Sequence, residues 1–141
     1  MTKKLRRHTQ RKLTSLTYLL KIQQKLKIKE KLFTFQNSFL LTETDKIIWI
    51  YKRNESGVVV EVTCVGYEIL LGNDWITIIY YDSFHGGLLH RHMRISLEDD
   101  SDVVSESGVK RSGSQKELLT WAMKNLRTRY LEYKRSFIKN E

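Results

Sequence analysis

The chain contains no proline. That excludes a proline-rich linker or a polyproline-type ligand segment. A single cysteine, Cys64, leaves no internal disulfide to form, and a reducing, cytoplasmic setting is the expectation. Cys64 follows Val60 and Val62 at strand spacing, which predicts a buried, inert thiol. No apolar run approaches the ~20 residues that a membrane span needs. The start, MTKKLRRHTQRK, has the charge of a signal n-region, but no continuous apolar stretch follows it,. Its acid-poor character also fits a mitochondrial transit peptide, for which no cleavage site is marked. Acids are nearly absent from the first 32 residues, where Glu30 stands alone against eleven Lys and Arg.

That imbalance organises the chain. Residues 1–32 carry a local charge of +10, whereas residues 33–141 carry fourteen basic and fifteen acidic residues, a balance of −1. The overall +9 therefore belongs to an N-terminal arm. The expected organisation is a basic helical arm, 1–32, and one domain, 33–141. An arm of this kind suits nucleic acid, an anionic membrane or an acidic protein. Its candidate phosphate contacts are Lys3, Lys4, Arg6, Arg7, Arg11 and Lys12. At 141 residues, 40% apolar and 29% charged, the chain has the size and composition of a single globular unit with a normal core,.

Periodicity predicts the elements. Leu16, Leu19, Ile22 and Leu26 recur at helical spacing, which predicts a helix over about 11–31,. The stretch 33–42 reads as a Phe-rich connector with room for a short strand. Residues 46–52, rich in β-branched and aromatic side chains, read as a strand. The turn Asn54–Gly57 leads into a long strand over 58–71, with a bend expected at Gly66. A further strand over 75–82 and a second arm over 88–97 follow. Short connections favour an antiparallel meander of about four strands. Ser114, with Glu117 three residues on, forms a capping box for a helix to about Ile138. Its apolar stripe is Leu119, Ala122, Leu126, Tyr130, Tyr133 and Phe137, and its other side carries Lys124, Arg127, Arg129, Lys134 and Arg135,. The expected fold is α+β, a sheet flanked by an N-terminal and a C-terminal helix.

Two loops invite ligand readings. Glu98, Asp99, Asp100, Asp102 and Glu106 crowd one stretch, but an EF-hand counted from Glu98 would place Val103 where glycine is required,. A solvated acidic loop is the better reading. Gly108–Ser114 leads into the helix start with Lys110 and Arg111 beside it, an arrangement that suits an anion. It is not a Walker A loop, because Ser114 stands where lysine is needed. No cofactor is expected.

The chemistry concentrates in Trp75–Leu97, which holds three of the four histidines, His85, His90 and His92. Side chains alternate along a strand, so His90, His92 and Arg94 share one face, and Leu89, Arg91, Met93, Ile95 and Leu97 the other. If Asp82 opposes Leu88 across a hairpin, then Asp82 and Tyr80 join the histidine face. A one-residue slip would break the grouping. Three readings follow. In metal-free RNA cleavage, one imidazole removes the 2′-OH proton, a second protonates the leaving oxygen, Arg94 or Arg91 stabilises the phosphorane, and Asp82 orients an imidazole. In metal binding, His90 and His92 share an ion with His85 or Asp82. In the third, the face is solvated polar sheet. A non-catalytic RNA-binding or ribonucleoprotein module is the alternative from a different class, with Tyr80, Tyr81 or Trp49 as stacking platforms.

The stretch Ile78–Gly86, with His90-Arg91-His92 behind it, resembles a group of small prokaryotic proteins with a Tyr-Asp, His-Gly, His-x-His hairpin. The group is similar to TumE-type toxins of toxin–antitoxin pairs. The segment from Trp121-Ala122 to Tyr133-Lys134 resembles that group's closing helix. The resemblance covers about 58–137 and does not include the basic arm. It implies RNA cleavage and an antitoxin as partner; the candidate catalytic residues read from the hairpin itself are Asp82, His85, His90, His92 and Arg94.

Overall fold

The computed structural model describes residues 17–21, 30–94, 96–98 and 111–139. The chain divides into two units, Met1–Lys31 and Leu32–Glu141. In the first, residues 17–21 are helical. Of the helix expected over 11–31, residues 11–16 and 22–29 lie outside the described residues, while Glu30 and Lys31 are described and not helical. Lys3, Lys4, Arg6, Arg7, Arg11 and Lys12 also lie outside the described residues, as do Lys110 and the acidic loop beyond Glu98.

The second unit is α+β. Five antiparallel strands form one sheet in chain order: β1 (Phe33–Thr42), β2 (Asp45–Arg53), β3 (Val59–Leu71), β4 (Asp74–Asp82) and β5 (His90–Met93). One long helix, α1 (Gln115–Lys139), follows. The count corrects the expected four strands, because the Phe-rich connector is itself a ten-residue edge strand. Its odd positions (Phe33, Phe35, Phe39) do alternate, but Asn37 interrupts the pattern and weakens the period-two signal,. The second arm of the hairpin, expected over 88–97, is strand over His90–Met93.

Helix α1 lies chiefly across β3 and touches β2 and β4 at its flanks. The expected stripe supplies the contact: Leu119, Ala122, Leu126, Tyr133 and Phe137 are buried, with Leu118 beside them and Tyr130 half-buried. Val65, Tyr67, Ile69, Ile79 and Tyr81 meet it from the sheet. The start of the helix is capped as expected, with the Glu117 N–H donating to Ser114 Oγ at 3.2 Å. Ser114→Ala should therefore cost about 1 kcal/mol, seen as a lower urea midpoint at constant m-value.

Long-range polar contacts fix the helix against the sheet. Asp45, only 3% exposed, accepts hydrogen bonds from Thr42 Oγ1, from the Tyr67 phenol and, at 3.0 Å, from Lys134 Nζ. Lys134 is therefore not on the solvated side of the helix, where the sequence pattern placed it. Tyr81 and Tyr133 both donate to Asn125 Oδ1 at 2.7 Å. Burial first, then Tyr133, raises the Tyr81 phenol above its ordinary range.

Bulges reset the faces. Ile50 opposes Cys64 while Tyr51 opposes Val62, so an extra residue lies between the pairs. Cys64 is therefore turned away from the Val62 face and is half-buried rather than buried,.

Candidate functional site

The face of the sheet opposite α1 carries the histidines. In the β4–β5 ladder Asp82 opposes His90 and Tyr80 opposes His92. The hairpin is thus two residues out of the expected register, where Asp82 would have met Leu88. A shift of two preserves facing, so Asp82, Tyr80, His90 and His92 share one face as expected,. Arg94 lies just beyond the end of β5, with its N–H donating to Ile78 O at 2.8 Å. Arg91, the other candidate for phosphorane stabilisation, opposes Tyr81 on the helix side of the sheet.

The centre of the face is a contact between charge and ring. His92 Nε2 lies 3.1 Å from Asp82 Oδ2, with side-chain exposures of 14% and 23%. The Tyr80 ring stacks on the imidazole, centroids 4.4 Å apart and planes 10° from parallel. The carboxylate approach is close but off the N–H axis, so neither His92 ring nitrogen has an aligned hydrogen bond.

The connection between β4 and β5 is tightly built. Ser83 is fully buried. Its N–H donates to Val62 O at 2.8 Å and its Oγ accepts the Val62 N–H at 2.9 Å. Its hydroxyl donates to Gln115 Oε1, and Gln115 Nε2 donates to Gly86 O (2.8 Å) and Gly87 O (3.1 Å). The first residue of α1 thereby clamps the loop. His85 sits in the left-handed region at φ 58°. Its N–H donates to Glu61 Oε1 at 3.0 Å, and Glu61 pairs with Lys52 at 3.3 Å. Burial pushes the Glu61 carboxyl up, but Lys52, Thr63 and the His85 amide outweigh it and hold it below its usual range. The His85 ring lies against Phe84, centroids 3.9 Å apart, so His85 is on the exposed loop and not in the His92–Asp82 contact.

Sequence reasoning missed Ser83, within the loop, and Glu61 and Gln115, which hold the loop from β3 and α1. No local pattern marks them. Of the proposed stacking aromatics, Tyr81 is fully buried, which removes it as a platform; Tyr80 and Trp49 are half-buried. Arg111 is exposed, its guanidinium lies 4.8 Å from the Trp121 ring centre, and its backbone pairs with Leu89. Among the described residues, no three His, Cys, Asp or Glu side chains converge to hold a metal ion, and no helix is long and apolar enough to cross a membrane.

Compared with known proteins, the chain matches no family model, no curated sequence and no solved structure.

Proposed function

We propose that this is a toxin-like RNA-binding protein in which Asp82, His90 and His92 cleave single-stranded RNA without metal. The carrying observation is the His92–Asp82 contact at 3.1 Å, with His90 directly across from the carboxylate. Two imidazoles beside one carboxylate supply what the reaction requires. His90 takes the proton of a ribose 2′-OH as its oxygen attacks phosphorus. His92, beside Asp82, donates its proton to the departing 5′-oxygen. The products are a 2′,3′-cyclic phosphate and a 5′-hydroxyl end. Arg94, next in the chain after β5, balances charge on the phosphorane. His85, on the exposed loop, would contact RNA rather than exchange protons. The resemblance of the hairpin to TumE-type toxins supports the same reading and adds an antitoxin as partner. The +10 arm supplies sequence-independent phosphate attraction,.

A second reading, RNA binding without cleavage, is favoured by one observation. Both His92 ring nitrogens are screened from solvent. The test is a cleavage assay on single-stranded RNA in EDTA across neutral pH. His90→Ala and His92→Ala should each lower the rate by about 10²–10⁴-fold while RNA affinity is kept. Equal trace activity in parent and variants, with affinity intact, would leave the binding-only reading. Loss of affinity in the parent itself would remove both.

A further inference from the structure

We propose that β1 is the seam of a symmetric dimer, pairing antiparallel with β1 of a second copy of this chain. The argument begins with the two edges of the sheet. At one edge β5 is four residues long, and the residue before it, Leu89, is bridged to Arg111. At the other edge β1 runs for ten residues, nine of them exposed. Its sequence, FTFQNSFLLT, has no charged residue and no proline, in a chain that is 29% charged. Unpaired edges are normally blunted by lysine, proline or brevity, and β1 has none of these. Instead it exposes four large apolar side chains: Phe33 (49%), Phe35 (40%), Phe39 (44%) and Leu40 (59%).

The same strand is complementary to itself. A two-fold axis normal to the sheet keeps both helices on one side, and opposed residues must then share a face. With the axis at Asn37, Phe35 meets the partner's Phe39, and Phe39 meets the partner's Phe35. Phe33 likewise meets the partner's Leu41, and each pair occurs twice. Aromatic pairs across strands are among the favourable ones, and an uncharged strand meets no like charge when it faces itself. One exposed bond lies at the axis, from the Ser38 N–H to Asn37 Oδ1 at 2.8 Å. Exchanging it for an inter-strand bond is close to neutral.

The helix side of this edge is also open. A groove of about 630 Å³ opens on this side, lined by Phe39, Ile47, Trp49 and Met123 with Lys124 and Arg127. Arg127 covers the Phe39 ring at 5.1 Å, and Arg53 covers Phe35 at 4.8 Å. A second copy brings an identical groove to the seam. The two then form one trough between the helices, closing apolar floor while the arginine heads stay in water.

The experiment is sedimentation or light scattering of the full chain over a wide concentration range in moderate salt. The parent should reach the mass of two chains. Asn37→Lys places two like charges face to face at the axis, and Asn37→Asp does the same with the opposite sign. Each should weaken dimerisation at least about tenfold. Because Asn37 is exposed, both variants should keep the parent's circular dichroism spectrum. Mixed in equal amounts, they should regain dimer as a lysine–aspartate hybrid. A parent that stays monomeric, a dimer indifferent to Asn37→Lys, or a mixture that fails to recover would each overturn the proposal.

Discussion

Asp45→Ala is expected to lower stability by about 3–5 kcal/mol, the range for removing one member of a buried ion pair. The side chain is 4% exposed and lies 3.0 Å from Lys134 Nζ. It also accepts the hydroxyl of Tyr67, a residue with no exposure. Truncation leaves that phenol without its acceptor and Lys134 without its counter-charge. Lys134→Met should cost less, because the lysine is 27% exposed and Asp45 keeps Thr42 and Tyr67. The pH dependence follows. Burial raises the Asp45 carboxyl, but Thr42, Tyr67 and Lys134 outweigh it and the net displacement is downward. A carboxyl depressed by folding stabilises above its unfolded pKa, and loses that contribution as pH falls through the folded value. Parent and Asp45→Ala should differ most near neutrality and converge in acid. Urea midpoints at several pH values measure this, and a constant difference down to strong acid would contradict the role given to the charge.

This contact also shows where sequence legibility ends. Asp45 and Lys134 are 89 positions apart, and Lys134 reads as one more cation on a helix face. Nothing local distinguishes it from Arg135. Elements built by local rules were legible. The capping box at Ser114 and the stripe from Leu119 to Phe137 follow from helical spacing, and both are in the structure. The histidine face was legible for a different reason. Strand parity survives a register error of two, so the wrong pairing partner for Asp82 still gave the right face,. Parity fails at bulges, which carry no fixed sequence mark. One bulge turned Cys64 to the other side of the sheet. A second, at Tyr67/Glu68, moves the register of β3 against β4 beside Ile78. Edge strands are harder still. Phe33–Thr42 has an apolar side that stays largely exposed, so its pattern is not selected as sharply as that of a core strand,.

Gly86→Ala is expected to cost about 2–5 kcal/mol, although it adds one methyl to a loop residue. Two effects add. Gly86 holds φ at +76°, a conformation that costs about 1–2 kcal/mol once a Cβ is present. That Cβ would lie 2.7 Å from the backbone oxygen of Val60, so β3 or the loop must move, at about the 1–3 kcal/mol of overpacking. Movement is resisted on every side. The Gly86 N–H donates to Ser83 O at 2.7 Å, and Gly86 O receives Gln115 Nε2 at 2.8 Å. Gly87→Ala is the control. Gly87 has φ −82°, and its Cβ would meet only Phe84 O at 3.4 Å, so its change should stay within about 1 kcal/mol. Equal urea midpoints for the two variants would mean that the loop does not press on Val60. The pair also separates roles within the proposed site. Asp82 and His92 sit on strands, while His85 sits in the loop beside Gly86. At temperatures where Gly86→Ala is still folded, RNA cleavage close to the parent's would place His85 outside the proton transfers. A loss matching that of His92→Ala would instead bring the loop histidine into the reaction.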